Sequence, residues 1–366
     1  MTNPLVRLGQ LGQSPWYDFI TRDLIASGTL ARLIADDGLL GMTSNPTIFE
    51  KAIAGSADYD DDIRRLAADG LEPGAVFEAL AVADVQAACD AFRPVFDRTG
   101  GRDGHVSLEV SPTLAHDAAG TVTEARRLWE AVDRPNAMIK IPGTEAGLPA
   151  VAECIALGIN VNITLLFSVT RYRAVIEAYL AGLERRVAAG QAIDRIASVA
   201  SFFVSRVDGR VDAALDQAGP SPLRGTIAIA NAALAYRAFE KAVASPRWAA
   251  LAAKGATRQR PLWASTSTKD PAYPDVYYVE ALVAPDTVNT LPPDTFTAYR
   301  DHGDPAVRIA AAIATADERI ASLAQAGIDL DDVTSFLETD GVAKFAASYQ
   351  SLLSGLEAKM GSLAGR

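Results

Sequence analysis

The sequence predicts an α/β protein of the (β/α)8, TIM-type barrel class, and three observations carry that prediction. Short apolar runs of roughly 4–8 residues recur eight times along the chain. Longer segments with apolar residues at helical spacing separate them. Most of the short runs lack polar alternation, the mark of strands buried on both faces of a parallel sheet. An open doubly wound sheet is the competing arrangement, but eight successive strand–helix alternations favour the closed barrel.

The strand candidates are Trp16–Ile20, Leu39–Thr43, Val106–Val110, Ala137–Ile141, Val161–Leu166, Ile196–Phe202, Pro261–Ser265 and Thr287–Leu291. Between them, Arg22–Asp37 sets Leu24, Ile25, Leu30, Leu33 and Ile34 on one helical face. Ala75–Ala91, Thr121–Ala131, Thr144–Leu157, Ser168–Ala189, Val204–Ala218 and Thr226–Ala244 have the same period. Thr121-Val-Thr-Glu124 reads as a capping box, and Thr144 ahead of Glu145 as a second helix start. Asn45–Leu71 reads as an insertion after the second strand. Its Asp58-Tyr-Asp-Asp-Asp62 run lacks the glycine and terminal glutamate of a calcium loop, and is expected to open a helix on a solvated face.

From Asp304 onward two amphipathic segments, Val307–Ala326 and Val342–Leu356, are expected to pack on the barrel's outside. With no linker-like run and no short-period repeat, residues 1–366 are expected to form one barrel domain with a helical extension over 304–366.

Composition narrows the function. At 49% hydrophobic and 22% charged residues, the chain can bury a core without staples. A formal charge of -11 excludes non-specific nucleic-acid binding, which needs a basic footprint. It still permits an anionic small molecule held by a few local Arg and Lys. Cys89 and Cys154, the two cysteines, lie in helix-like apolar stretches and are expected to be buried, reduced thiols. The N-terminus lacks a basic segment followed by an apolar one, and no charge-free window is long enough to span a bilayer. A cytoplasmic protein without membrane or nucleic-acid partners is expected. Self-association stays open, because the tail helices can pack on the barrel or on a second copy.

In a parallel barrel, catalytic groups stand at the C-terminal ends of strands. The polar residues there are Asp18, Thr43, Asn45, Glu109, Lys140, Asn162, Thr164, Ser201, Arg206, Ser265, Ser267 and Lys269. An ionisable group inside an apolar strand is costly unless it faces a polar cavity or has a partner. One such residue is as readily a structural ion pair as a site. Three of differing charge, Asp18, Glu109 and Lys140, on strands that converge in one barrel, point to a site.

Lysine is the informative member. Desolvation favours the neutral amine of a lysine, which adds to a ketone and loses water to give an imine. Protonated, that imine stabilises the carbanion left when the adjacent C–C bond breaks. Asp18 and Glu109 are the acid/base groups at hand. His105, His116 and His302 are scattered, so a zinc site is not expected. No Gly-x-Gly-x-x-Gly follows an early strand and no Walker sequence occurs, so no nucleotide cofactor is expected either.

Four segments carry a family resemblance: Gly41-Met-Thr-Ser-Asn-Pro-Thr-Ile-Phe-Glu-Lys51, Val106-Ser-Leu-Glu-Val110, Met138-Ile-Lys-Ile-Pro-Gly-Thr144 and Asn160-Val-Asn-Ile-Thr-Leu-Leu-Phe-Ser168. Through them the chain resembles the transaldolases, in the longer bacterial form that also occurs as one half of fusions with glucose-6-phosphate isomerase. The resemblance implies transfer of a dihydroxyacetone unit from sedoheptulose 7-phosphate to glyceraldehyde 3-phosphate, giving erythrose 4-phosphate and fructose 6-phosphate, without a cofactor. It implies Lys140 as the Schiff-base lysine, Asp18 as the proton handler of the breaking C–C bond, and Glu109 with Thr164 as holders of a catalytic water. It further implies Asn45, Asn162 and Ser201 as ligands of the dihydroxyacetone hydroxyls, Phe203 as pocket lining and Arg206 as a phosphate ligand.

The chain departs from the shorter members in two places. It reads Ser201-Phe-Phe-Val-Ser-Arg206 where they read Ser-Pro-Phe-Val-Gly-Arg. It ends the seventh strand Ala264-Ser-Thr-Ser-Thr-Lys269 where they have Ala-Ser-Phe-Arg, which makes Lys269 the expected second phosphate ligand, without an arginine's bidentate fork.

Overall fold

Eight parallel strands follow one another around a closed barrel in chain order, and the last pairs with the first. They are β1 (Gln13–Asp18), β2 (Gly41–Thr43), β3 (His105–Glu109), β4 (Ala137–Pro142), β5 (Val161–Leu166), β6 (Ser198–Phe203), β7 (Arg260–Ala264) and β8 (Thr287–Leu291). This computed structural model describes residues 3–364. Each expected strand is present, with the largest displacement at β1, which starts at Gln13 rather than Trp16. β4, β5 and β6 are buried along their whole length, as strands covered on both faces must be.

The helices differ from expectation where local chemistry overrides periodicity. Arg22–Asp37 is two helices, Arg22–Ala26 and Thr29–Asp36, because Gly28 between them turns left-handed at φ 75°. The helix expected from Thr121 begins earlier, at Ala118, and Asp117 caps it by accepting from Gly120 N at 3.0 Å. The supposed capping box is dismantled: Thr121 donates to Leu114 O at 3.0 Å, and Glu124 accepts from Ser111 N at 2.8 Å. Thr144 shapes a turn, accepting from Gly147 N at 3.0 Å, and the helix itself is Leu148–Leu157. The Asn45–Leu71 insertion folds as Pro46–Ala54 and Asp60–Ala68, with Asp60, Asp61 and Asp62 in the first turn of the second helix.

An ionic plug closes the barrel's N-terminal end. Arg260, at the start of β7, donates to Asp103 Oδ1 at 2.9 Å and to Ser14 Oγ at 2.7 Å, and Ser14 donates to Asp103 Oδ2 at 2.9 Å. Trp16 lies above it, pressed so closely on its β2 neighbour that a Cβ at Gly41 would come within 2.4 Å of the indole. Nearby His105 opens β3, its Nε2 2.9 Å from Gly101 O, and burial pushes its pKa down to about 4. Cys89 and Cys154 are buried free thiols. Among the described residues no helix is long and apolar enough to cross a membrane.

Of the two tail segments, Ile309–Gln325 packs outside the barrel on helix Ile227–Val243, as expected. The second does not. It is a 35-residue helix, Leu330–Ala364, that crosses the C-terminal mouth of the barrel. Val333, Leu337, Gly341 and Phe345 recur every fourth residue along its buried face. Gly341 lets the helix settle on Leu165 and Phe167, at and just past the end of β5, and Phe345 reaches the central pocket. Periodicity reveals that this helix has an apolar face but not what the face covers.

Candidate active site

Barrel register makes neighbours of residues far apart in sequence. Glu109 pairs with Lys140 across β3 and β4, and Lys140 with Asn162 across β4 and β5. The Lys140 ammonium lies 3.2 Å from Glu109 Oε2 and donates to Ser44 O at 3.1 Å. The Phe345 ring roofs it, with Nζ 5.7 Å from the ring centre. Burial raises the Glu109 carboxyl above the usual range, and the adjacent Lys140 charge pulls against that shift. Asp18, at the end of β1, is raised in the same way, opposed by Lys140 and by the hydroxyl of Thr43, which donates to Oδ1 at 2.7 Å.

Above Lys140 the barrel opens into a cavity of about 580 Å³, in the range of small-molecule sites. Asp18, Asn45, Lys140, Thr164, Ser201, Phe203, Arg206 and Lys269 all line it. Two expected residues stand off. Glu109 lies behind Lys140 and lines a separate, smaller cavity. Asn162 is fully buried beneath the pocket, where its amide donates to Ser107 Oγ at 3.0 Å and accepts from Ser201 Oγ at 2.7 Å. Asn45 has a structural duty besides its place in the wall, since its side chain caps helix Pro46–Ala54 by accepting from Ile48 N at 3.0 Å.

The mouth is cationic. Arg206 follows β6 and stacks over Phe203 at 5.1 Å, and its Nη1 is buried without a hydrogen-bond partner among the described residues. Burial lowers its pKa, so an anion is the natural complement. Lys269 sits on the exposed loop after β7. Lys51, missed in the sequence reading, joins them from helix Pro46–Ala54. Its signal was there, because Thr47, Ile48 and Lys51 share a helical face one turn past Asn45. Phe345 left no such signal, being remote in sequence and brought in by tertiary packing alone.

The backbone is unusual beside the pocket. Leu165 (φ 62°) and Ser265 (φ 55°) are left-handed without being glycine, and the β5–β6 register slips between Ile163 and Leu166. That bulge falls on Thr164, whose buried Oγ1 has no hydrogen-bond partner among the described residues. The assembled chemistry is a lysine amine, two carboxyls, an unspent hydroxyl and a cationic rim. Among the described residues no group of three or more His, Cys, Asp or Glu is arranged to hold a metal ion.

Comparison with known sequences meets this geometry. Residues 15–356 match the family described as Transaldolase/Fructose-6-phosphate aldolase. The chain belongs to this family. A protein named Transaldolase from Acidothermus cellulolyticus is 55% identical over 357 residues, covering 96% of this chain and 95% of its own. Another of that name from Frankia alni is 52% identical over 365 residues, covering 99% and 98%. The Transaldolase 2 of a Nostoc species is 49% identical over 372 residues, with 98% of each chain covered. The family match starts inside β1 and ends within the helix Leu330–Ala364. Phe345 and the part of this helix that crosses the mouth therefore lie within the transaldolase-family region.

Proposed function

We propose that this chain is a transaldolase that moves a dihydroxyacetone unit from sedoheptulose 7-phosphate to glyceraldehyde 3-phosphate through a Schiff base on Lys140, giving erythrose 4-phosphate and fructose 6-phosphate. The observation that carries the reading is the Lys140 amine, 3.2 Å from a buried carboxylate, at the floor of a pocket whose rim is Arg206, Lys51 and Lys269.

The ketose enters with its phosphate toward Arg206 and its carbonyl toward Lys140. The amine adds to the carbonyl, and Glu109 and Thr164 manage the proton transfers by which water leaves. Asp18, whose raised pKa suits it to hold a proton, takes one from the hydroxyl beyond the breaking C–C bond. The aldose departs, and the electron pair remains on the three-carbon unit, delocalised into the iminium. Ser201 and Asn45 hold the hydroxyls of that unit, and Asn162 holds Ser201 from below. The acceptor aldehyde then takes the carbanion and the Asp18 proton, and water frees the product from Lys140. The reading needs no cofactor and fits a cytoplasmic enzyme of the pentose phosphate route.

Borohydride reduction with fructose 6-phosphate tests it. A three-carbon adduct on the peptide containing Lys140 is expected, and an unmodified peptide sinks the assignment. Transfer to erythrose 4-phosphate should far outpace cleavage of the donor without acceptor. The opposite ratio would make the chain a simple aldolase.

A further inference from the structure

We propose that the small cavity behind Glu109 is the water compartment of the imine steps, receiving the water that Lys140 expels and returning one for hydrolysis while substrate fills the front pocket. The inference rests on the Schiff-base reading above and adds a route to it.

Stoichiometry sets the need. Ketone plus amine gives imine plus one water, and product release consumes one water again. Both events occur with a phosphorylated sugar between Lys140 and the mouth. A second compartment beside the acid/base group of the imine steps would let that water leave and return while the entrance is occupied.

The structure supplies a second compartment in the right place. Lys140 and Thr164 line the large pocket and Glu109 does not, whereas Glu109 lines the small cavity and Lys140 does not. The carboxylate thus stands in the partition, Oε2 toward the lysine at 3.2 Å and Oε1 buried without a protein hydrogen-bond partner among the described residues. The cavity is about 30 Å³, which suffices for one or two water molecules. A buried water also needs two to four polar partners. Glu109, Ser111, Glu124 and Tyr349 supply them, set among the apolar walls of Phe49, Ala81 and Leu128. Glu124 is half-buried and fixed to the Ser111 amide at 2.8 Å, so the far end of the cavity lies toward solvent.

One helix serves both compartments. Phe345 and Tyr349 are four residues apart on one face of Leu330–Ala364. Phe345 roofs Lys140 with an apolar ring, and Tyr349 closes the rear cavity with a phenol.

Filling the cavity from a wall outside the substrate pocket tests the idea. Ala81 is buried on helix Pro73–Arg98 and lines only the small cavity, so Ala81→Leu occupies the space without touching substrate. Two rates are compared with wild type: enzyme-dependent exchange of the ketose C2 oxygen with ¹⁸O-labelled water, above the spontaneous background, which requires imine formation and hydrolysis, and single-turnover capture of an acceptor aldehyde by the preformed three-carbon imine on Lys140, which needs no water. Exchange is expected to fall on the order of tenfold while acceptor capture holds. Unchanged exchange in the folded variant, or an equal fall in both rates, overturns the proposal. Should Ala81→Leu misfold, Ala81→Val and Tyr349→Phe are read by the same ratio, and a ratio equal to wild type in both overturns it equally. An absent borohydride adduct on wild-type Lys140 would instead fell the Schiff-base reading itself.

Discussion

Glu109 and Lys140 are register partners on adjacent strands, and their side chains meet at 3.2 Å with almost no exposure to solvent, 3% and 6% respectively. Desolvating two charges costs more than their attraction returns in many buried pairs, and breaking one by removing a single partner leaves the other stranded. Here the stranded partner has a way out. Burial already raises the Glu109 carboxyl, so without the lysine it can take a proton and stay neutral. Lys140→Met should therefore bring turnover to background while leaving the melting temperature near that of wild type. The double variant Lys140→Met/Glu109→Leu should be more stable than wild type by about 1–4 kcal/mol, read by urea denaturation. A double variant less stable than wild type would show that the pair holds the barrel together.

At the pocket mouth the three cations should contribute unequally. Arg206 is mostly buried, stacked on Phe203, and its Nη1 lacks a protein hydrogen-bond partner among the described residues, so a phosphate would be its main ligand. A charge-assisted hydrogen bond of this kind contributes about 1.5–3 kcal/mol. Arg206→Ala should then raise KM for fructose 6-phosphate roughly 10–100-fold and leave the KM for unphosphorylated fructose nearly unchanged. Lys51 and Lys269 are exposed, and exposed charges contribute about 0–1 kcal/mol. Lys51→Ala and Lys269→Ala should each raise KM only a few-fold, and high salt should erase both effects. Initial-rate kinetics on the two sugars at two ionic strengths separates the three.

What could be read from the sequence follows from what holds each element in place. β4, Ala-Met-Ile-Lys-Ile-Pro, was legible to within one residue because a strand buried on both faces reads as a near-continuous apolar run, whereas β5 and β8 match the expected bounds although polar side chains interrupt them. Lys140 was legible for the converse reason, as a charge in Ala-Met-Ile-Lys-Ile-Pro has no business there without a partner or a cavity. The start at Thr121 was misread because Asp117, four residues earlier, competes for the same cap. Phe345 over Lys140 was invisible for a deeper reason. It depends on the helix Leu330–Ala364 settling on the barrel mouth, a contact between parts of the chain more than 200 residues apart.

The Arg260–Asp103 plug should matter to stability and not to catalysis. It sits at the N-terminal ends of the strands, and in a parallel barrel that end carries stability while the opposite end carries the site. Arg260 also donates to Ser14 Oγ and Arg102 O, so its removal leaves the buried Asp103 carboxylate with donors from Ser14 and Trp16 but without its counter-charge, and takes a donor from Ser14 Oγ and from Arg102 O. Arg260→Met should cost about 3–5 kcal/mol in urea denaturation. KM and kcat should be unchanged per folded molecule at low temperature. A loss of kcat in fully folded protein would contradict this division of labour.

Asp208 should make the fold less stable in alkali. It lies two residues past Arg206 on helix Ser205–Ala218, accepts from Ala228 N at 2.7 Å and Tyr278 Oη at 3.0 Å, and is 1% exposed. Burial, helped by the neighbouring Asp212 charge, pushes its pKa up to about 7. An aspartate in the unfolded chain titrates near 3.9, so from about pH 4 to pH 7 the folded protein binds a proton that the unfolded chain has released. The stabilising contribution is complete below about pH 4 and is lost as pH rises through 7, at up to about 1.4 kcal/mol per pH unit. Asp212, Asp216, Asp270, Tyr273, Arg224 and Lys269 face the same cavity and titrate or carry charge beside it, so the test is a difference. Asp208→Asn keeps an acceptor for Ala228 N and carries no ionisable proton. Urea denaturation at about pH 6 and pH 8.5 should show wild type losing stability with pH, and the variant losing at least 1 kcal/mol less over the same interval. Equal losses in the two proteins would place the proton uptake on another group.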